Sequence, residues 1–225
     1  MPIFEGHVYH GQDAALSALV EEIHAMGEEM LAMLALTQKS IASPGAELFA
    51  QAKTIDKSIN ERDAEMERKV VSYISKYPAI GEDVRFVISV VKIAALVERA
   101  GDKIKNATKH LTRLGAPIPP ALRPELLAAA EFVQNMAPLA LAQIADYDAG
   151  RTARLVELGA KVQQAYRKVI VSLQTPSAAG GDEPSLVLIA KNFEQAADML
   201  IEIMKICHQL HLGARYEKEH AQAAG

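Results

Sequence analysis

Residues 93–106 read IAALVERAGDKIKN, and residues 189–202 read IAKNFEQAADMLIE. Set side by side without a gap, they share Ile, Ala, Glu, Ala and Asp at a constant offset, with Glu98 over Glu194 and Asp102 over Asp198. Both stretches have the i, i+3, i+4 apolar spacing of an amphipathic helix and no strict alternation. Each is preceded by two further segments of the same kind, so the match predicts an internal duplication, with each copy lying on the third helix of its half.

Punctuation along the chain supports that division. Proline and glycine cluster at SPGAE (43–47), YPAIGED (77–83), GAPIPPALRP (115–124), weakly at DYDAGR (146–151), and at TPSAAGGDEP (175–184). Between the clusters the spacing predicts helices over 16–36, about 46–76, about 80–113, about 121–147, about 150–174 and about 184–212. Pro138 should kink the fourth. Asp182-Glu183-Pro184 should open the sixth, because acidic residues and proline suit a helix N-terminus. The expected fold is all-α: six long helices arranged as two similar antiparallel three-helix bundles. Residues 1–115 and 119–213 would form the two domains, and residues 214–225 a polar tail.

Composition fits such a protein. Half of the 225 residues are apolar, but there is no Trp and there are only five Phe, which favours aliphatic packing between helices over an aromatic-rich sandwich. A net charge of −4 and the lack of a basic, aromatic-interleaved stripe argue against a general nucleic-acid binder. Cys207 is the sole cysteine, which excludes an intrachain disulfide. The densest apolar run, FVISVVKIAALV (86–97), is too short to span a bilayer, and the N-terminus lacks the features of a signal peptide. A soluble cytoplasmic protein is expected.

The chemistry-bearing residues lie along helix edges. On a helical wheel Ile93, Leu96, Ala100, Ile104, Ala107 and Leu111 share one side, while Glu98 and Asp102 point nearly opposite, with Asn106 close by. Like charges four apart destabilise an isolated helix by about 0.2–0.5 kcal/mol. In the second helix, TIDKSINERDAEMERK (54–69) places Asp56, Asn60, Asp63 and Glu67 along a similar edge. Antiparallel packing of these two helices would bring the edges together across a shallow, oxygen-rich groove. Such donors suit hard cations, Mg²⁺, Ca²⁺ or Mn²⁺, or iron in a multinuclear cluster. The plainer reading is a solvated charged face, with Arg99 and Lys105, three residues either side of Asp102, supplying ordinary ion pairs.

Pro78, Asp83-Val84-Arg85, Lys92-Ile93, Glu98-Arg99, Gly101-Asp102 and Asn106 form a more specific pattern. Together with Asp56, Asn60 and Asp63 upstream, it resembles the PhoU family of phosphate-signalling proteins, which are built from two three-helix domains. The resemblance implies a regulator and no enzyme: an adaptor between a phosphate ABC transporter ATPase subunit and a sensor histidine kinase, acting as a homodimer and reaching the membrane only through its partners. It further implies a metal (Fe, Zn, Mn or Mg) held by Asp56, Asn60, Asp63, Glu98 and Asp102. Only Glu194 and Asp198 match in the second half. Asp83, Arg85, Arg99, Gly101 and Asn106 carry the family signature. Gln195 and Ala197 replace the Arg and Gly of that signature, and Gly159 and Gln163 stand where acids are expected. A competent first site and a degraded second one are therefore expected.

Two alternatives remain open. E-x-x-H occurs at Glu21–His24 and Glu217–His220, which would suit a ferritin-like di-iron bundle. A metal-free helical interaction module is the other. Cys207-His208 and His211 place two imidazoles near the end of the sixth helix, where a last-turn histidine more often partners the helix C-terminus than a ligand.

Overall fold

A computed structural model describes residues 11–174, 182–213 and 216. Six α-helices follow one another: α1 Gln12–Ala42, α2 Ala46–Lys76, α3 Glu82–Leu111, α4 Arg123–Ala142, α5 Ala149–Leu173 and α6 Glu183–Leu212. No strand occurs among the described residues. The fold class is the one read from the periodicity. The predicted tail lies outside the described residues apart from Tyr216.

The first three helices pack on one another, and so do the last three. The two sets then join through α1 against α4 and, most extensively, α3 against α6. The four inner helices thus join the halves into one continuous hydrophobic core to which all six contribute, while among the described residues α2 packs on α1 and α3 alone, and α5 on α4 and α6 alone. Small residues allow the close approach. A Cβ on Gly27 of α1 would lie 2.1 Å from Leu141 Cδ1 of α4, so this crossing depends on the missing side chain.

The connection between the halves is anchored. Asp182 accepts hydrogen bonds at 2.9 Å from the backbone N–H groups of Gly115 and Ala116, just beyond the end of α3. This places the start of α6 beside the end of α3 and makes the pair antiparallel. Ile118 and Leu122 of the connecting segment are buried in the core. Asp182 stands at the N-cap of α6, where the sequence places it, but its carboxylate holds the linker and makes no side-chain cap bond. Glu183 and Pro184 occupy the first turn as the sequence suggests.

Helix α4 ends at Ala142, five residues short of the expected limit, so Pro138 lies in its final turn. The cause is Gln143. Its side chain is fully buried, donates to Asp148 O and Thr152 Oγ1 at 2.9 Å, and accepts from Asp148 N at 2.7 Å. Asp148 in turn accepts from Arg151 N and caps α5. A residue that could extend α4 is used to close the α4–α5 turn. Helix α6 stops at Gly213, whose φ of 74° is the left-handed conformation that glycine adopts without strain.

Gly27→Val should overpack the α1–α4 crossing and lower unfolding stability by about 1–3 kcal/mol. In urea melts this would appear as a lower midpoint with an unchanged slope.

Candidate functional site: the acidic groove between α2 and α3

The apolar seam of α3 fixes its rotation. Ile93, Ala94, Val97, Ala100, Ile104, Ala107 and Leu111 are completely buried. With that face committed, Glu98 and Asp102 emerge along the edge next to α2, and Gly101 sits between Ile59 and Met33 where a Cβ would meet Ile59 Cδ1 at 3.3 Å. On α2, Ala52, Ile59, Met66 and Val70 supply the buried stripe, and Asp56 lies at its margin.

A lysine lies at the centre. Lys105 Nζ donates to Asp56 Oδ2 at 2.9 Å and to Asp102 Oδ1 at 2.7 Å, bridging the two helices. Its side chain is 18% exposed, against 11% for Asp56 and 38% for Asp102, so the inter-helix bond is the shielded one. Asn106 Nδ2 donates to the other oxygen of Asp102 at 2.9 Å. Burial alone would lower the Lys105 pKa, but hydrogen bonds to Asp102 and Asp56 outweigh it and hold the ammonium above its usual value.

The remaining acids feel the crowding. Glu98 is pushed above the ordinary carboxylate range by burial first, then by the charges of Asp102, Asp63 and Asp56. Asp63 is raised by burial and by Glu67. Asn60, Glu67, Arg85 and Arg99 are exposed. Asp83 serves elsewhere: its Oδ2 accepts from Gln12 Nε2 at 2.9 Å, and the same amide reaches Tyr73 Oη, tying the start of α1 to the end of α2 and the start of α3.

Asp56, Asp63, Glu98 and Asp102 are thus brought within electrostatic reach. Among the described residues, however, no group of three His, Cys, Asp or Glu side chains could hold a metal ion. A cation between Asp56 and Asp102 would have to displace the ammonium. As it stands, the donor set does not fit a resident metal.

The second half is sparser. Lys191 Nζ pairs with Glu194 and lies 5.3 Å from the Tyr166 ring centroid of α5. Desolvation and Glu194 raise Asp198, against the pull of Lys191 and Lys205. Gln163 is exposed, and Gly159 lies against Ile201 and Met136.

One network went unread in the sequence. Glu22 of α1 binds Arg62 and Lys69 of α2, and Arg62 also donates to Glu29 at 3.0 Å. Burial would raise Glu22, but Lys69 and Arg62 overcome it and draw its pKa below the usual value. The signal was present: two acids seven apart on α1 and two cations seven apart on α2, the repeat that faces across an antiparallel pair.

The imidazoles at the end of α6 serve packing. His208 is buried with its ring edge-on to Tyr147 and Tyr216. His211 Nε2 lies 3.0 Å from Gln143 O and 3.2 Å from Ile144 O, so it donates to the end of α4 and not of its own helix. Burial raises the Cys207 thiol to about 12. Glu21 is exposed, and Glu217–His220 lies outside the described residues.

Residues 23–110, spanning most of α1 through α3, match the family model of the PhoU domain. A curated relative from Zymomonas mobilis subsp. mobilis, named a phosphate-specific transport system accessory protein PhoU homolog, is 28% identical over 207 residues, covering 90% of this chain and 87% of its own. The first three helices thus match the PhoU domain. A like-named relative from Rhizobium meliloti is 23% identical over 222 residues, covering 95% of this chain and 92% of its own. The crystal structure of PhoU from Pseudomonas aeruginosa has the same fold, with a TM-score of 0.80 at 20% identity over 90% of this chain and 99% of that one. Within the matched segment Asp102 and Asn106 are bonded to each other, and Gly101 permits the approach of α2.

Two charge changes should act in opposite directions. Glu98 has a raised folded-state pKa, so the folded form binds more protons and its charge opposes folding at neutral pH. Glu98→Gln should therefore stabilise the protein by a few tenths of a kcal/mol at pH 7. That gain should fade as pH falls through the folded pKa. Glu22 has a lowered folded-state pKa, so its contribution is complete above 4.5 and lost as pH falls through the folded value. Glu22→Gln should destabilise by up to about 1 kcal/mol at pH 7. Thermal melts of both variants across pH 3–8 would read the two signs.

Proposed function

We propose that this chain is a regulatory accessory protein of phosphate transport, acting without catalysis as an adaptor between a phosphate ABC transporter ATPase subunit and a sensor histidine kinase. The reading is carried by similarity over about nine-tenths of both chains to a relative named for that transport system. The PhoU fold, continuous through all six helices, supports it. The geometry suits an adaptor: four inner helices join the two halves, while α2 and α5 present long polar faces outward. No described helix is long and apolar enough to cross a membrane, so contact with the transporter would be made through helix surfaces. A homodimer, also implied by the resemblance, belongs to the same proposal.

The ferritin-like alternative finds less support. Its first E-x-x-H has an exposed Glu21, and two of the first-half carboxylates, Asp56 and Asp102, are engaged by Lys105. A metal-free mode of action is favoured by Lys105 at the centre of the groove.

Deleting the gene should release a phosphate-starvation reporter from repression in high phosphate, and the wild-type copy should restore repression. Unchanged repression in the deletion strain would remove the adaptor reading.

A further inference from the structure

The charge balance of the two grooves goes further than the family reading and stands independently of it. In the first half, Lys105 bridges Asp56 on α2 and Asp102 on α3. In the second half, Lys191 pairs with Glu194 and lies against the Tyr166 ring. In both, the cation comes from the same helix as the duplicated Glu/Asp pair, but from opposite sides. Lys105 stands three residues after Asp102, and Lys191 three residues before Glu194. They are not equivalent positions of the duplication: the counterpart of Lys105 is Ile201, and that of Lys191 is Ala95. Each half therefore meets the same like-charge problem with a lysine of its own.

We propose that Lys105 occupies the place where a bound cation would neutralise Asp56 and Asp102, so that the first groove is closed to divalent metal and works without it. Chemistry favours the internal ammonium in the first groove. Its hydrogen bonds to two carboxylates on different helices form without recruiting an ion from solution. A divalent ion entering there would have to displace Lys105 and leave that ammonium unpaired, at a cost that grows with burial. Asn106 completes the arrangement by taking the second oxygen of Asp102.

The proposal makes Lys105 the switch between metal exclusion and metal binding. The test is titration of the full-length chain with Mn²⁺ alone, read by electron paramagnetic resonance of the free ion. The wild-type protein should show no uptake that depends on Asp56 up to about 1 mM Mn²⁺, the weak end of oxygen-ligand sites. Lys105→Ala should gain one Mn²⁺ site at least about tenfold tighter than that limit, through loss of the competing charge. Adding Asp56→Asn to it should abolish the gain, and Lys105→Arg, which keeps the charge, should stay closed. The proposal is overturned if wild type takes up Mn²⁺ and Asp56→Asn removes that uptake. It is equally overturned if a cooperatively folded Lys105→Ala binds no more than wild type. Should Lys105→Ala fail to melt cooperatively, the comparison of wild type with Asp56→Asn decides the matter by itself, equal lack of uptake upholding the proposal.

Discussion

Helix α3 must pack against α1, α2 and α6 at once, and this demand governs the rest of the molecule. Its seam, from Phe86 through Leu111, is buried along nearly its whole length. Apolar burial stabilises by about 25 cal/mol per Å², so rotating α3 to relieve a charge on its edge would sacrifice far more than the charge is worth. The edge must accept whatever position the seam dictates. Glu98 and Asp102 are consequently held near Asp56 and Asp63, partly out of water and unable to separate. Their repulsion has to be met locally.

Lys105 meets it in the first half at the least structural cost. An ammonium on a flexible four-carbon stem can reach from α3 to α2. Because the cation is covalently part of the chain, the groove keeps its charge balance at any concentration of divalent ions. A site filled by a soluble metal would instead follow metal supply. In this protein the α2–α3 bridge by Lys105 needs no ion from solution.

Much of this was legible in the sequence, and what escaped has physical reasons. Helix α2 was read correctly at both ends because its breakers, SPGAE and YPAIGED, stand immediately outside it. Helix α1 extends beyond the predicted 16–36 because buried polar residues disguise its continuation. Thr37 is completely buried, bonding Met33 O and Thr108 Oγ1, and Gln12 is held by Tyr73 and Asp83. The expected limit of α4 overshoots the observed one because nothing local marks Gln143 as a turn-closing residue; its partners at 148 and 152 lie beyond the helix. At the site, spacing placed the acids on facing edges but left their counter-ion undecided. Lys105 reads as a surface residue until α2 is laid beside it, since its shielding comes from the tertiary contact with Asp56.

The same reasoning separates inner from outer helices. Helix α2 buries only Ala52, Asp56, Ile59, Met66, Val70 and Tyr73 over 31 residues, and one of these is an acid. So narrow an apolar stripe leaves both of its flanks polar. One flank is fastened to α1 through Glu22, Glu29, Arg62 and Lys69, the other to α3 through Lys105. Partly exposed ion pairs are individually weak. Their value here is directional: acids on α1 and a cation on α3 fix the rotation of α2 about its axis, which its narrow stripe would define loosely. An outer helix whose facing is set by charge can present a defined polar surface to a partner while the four inner helices join the two halves.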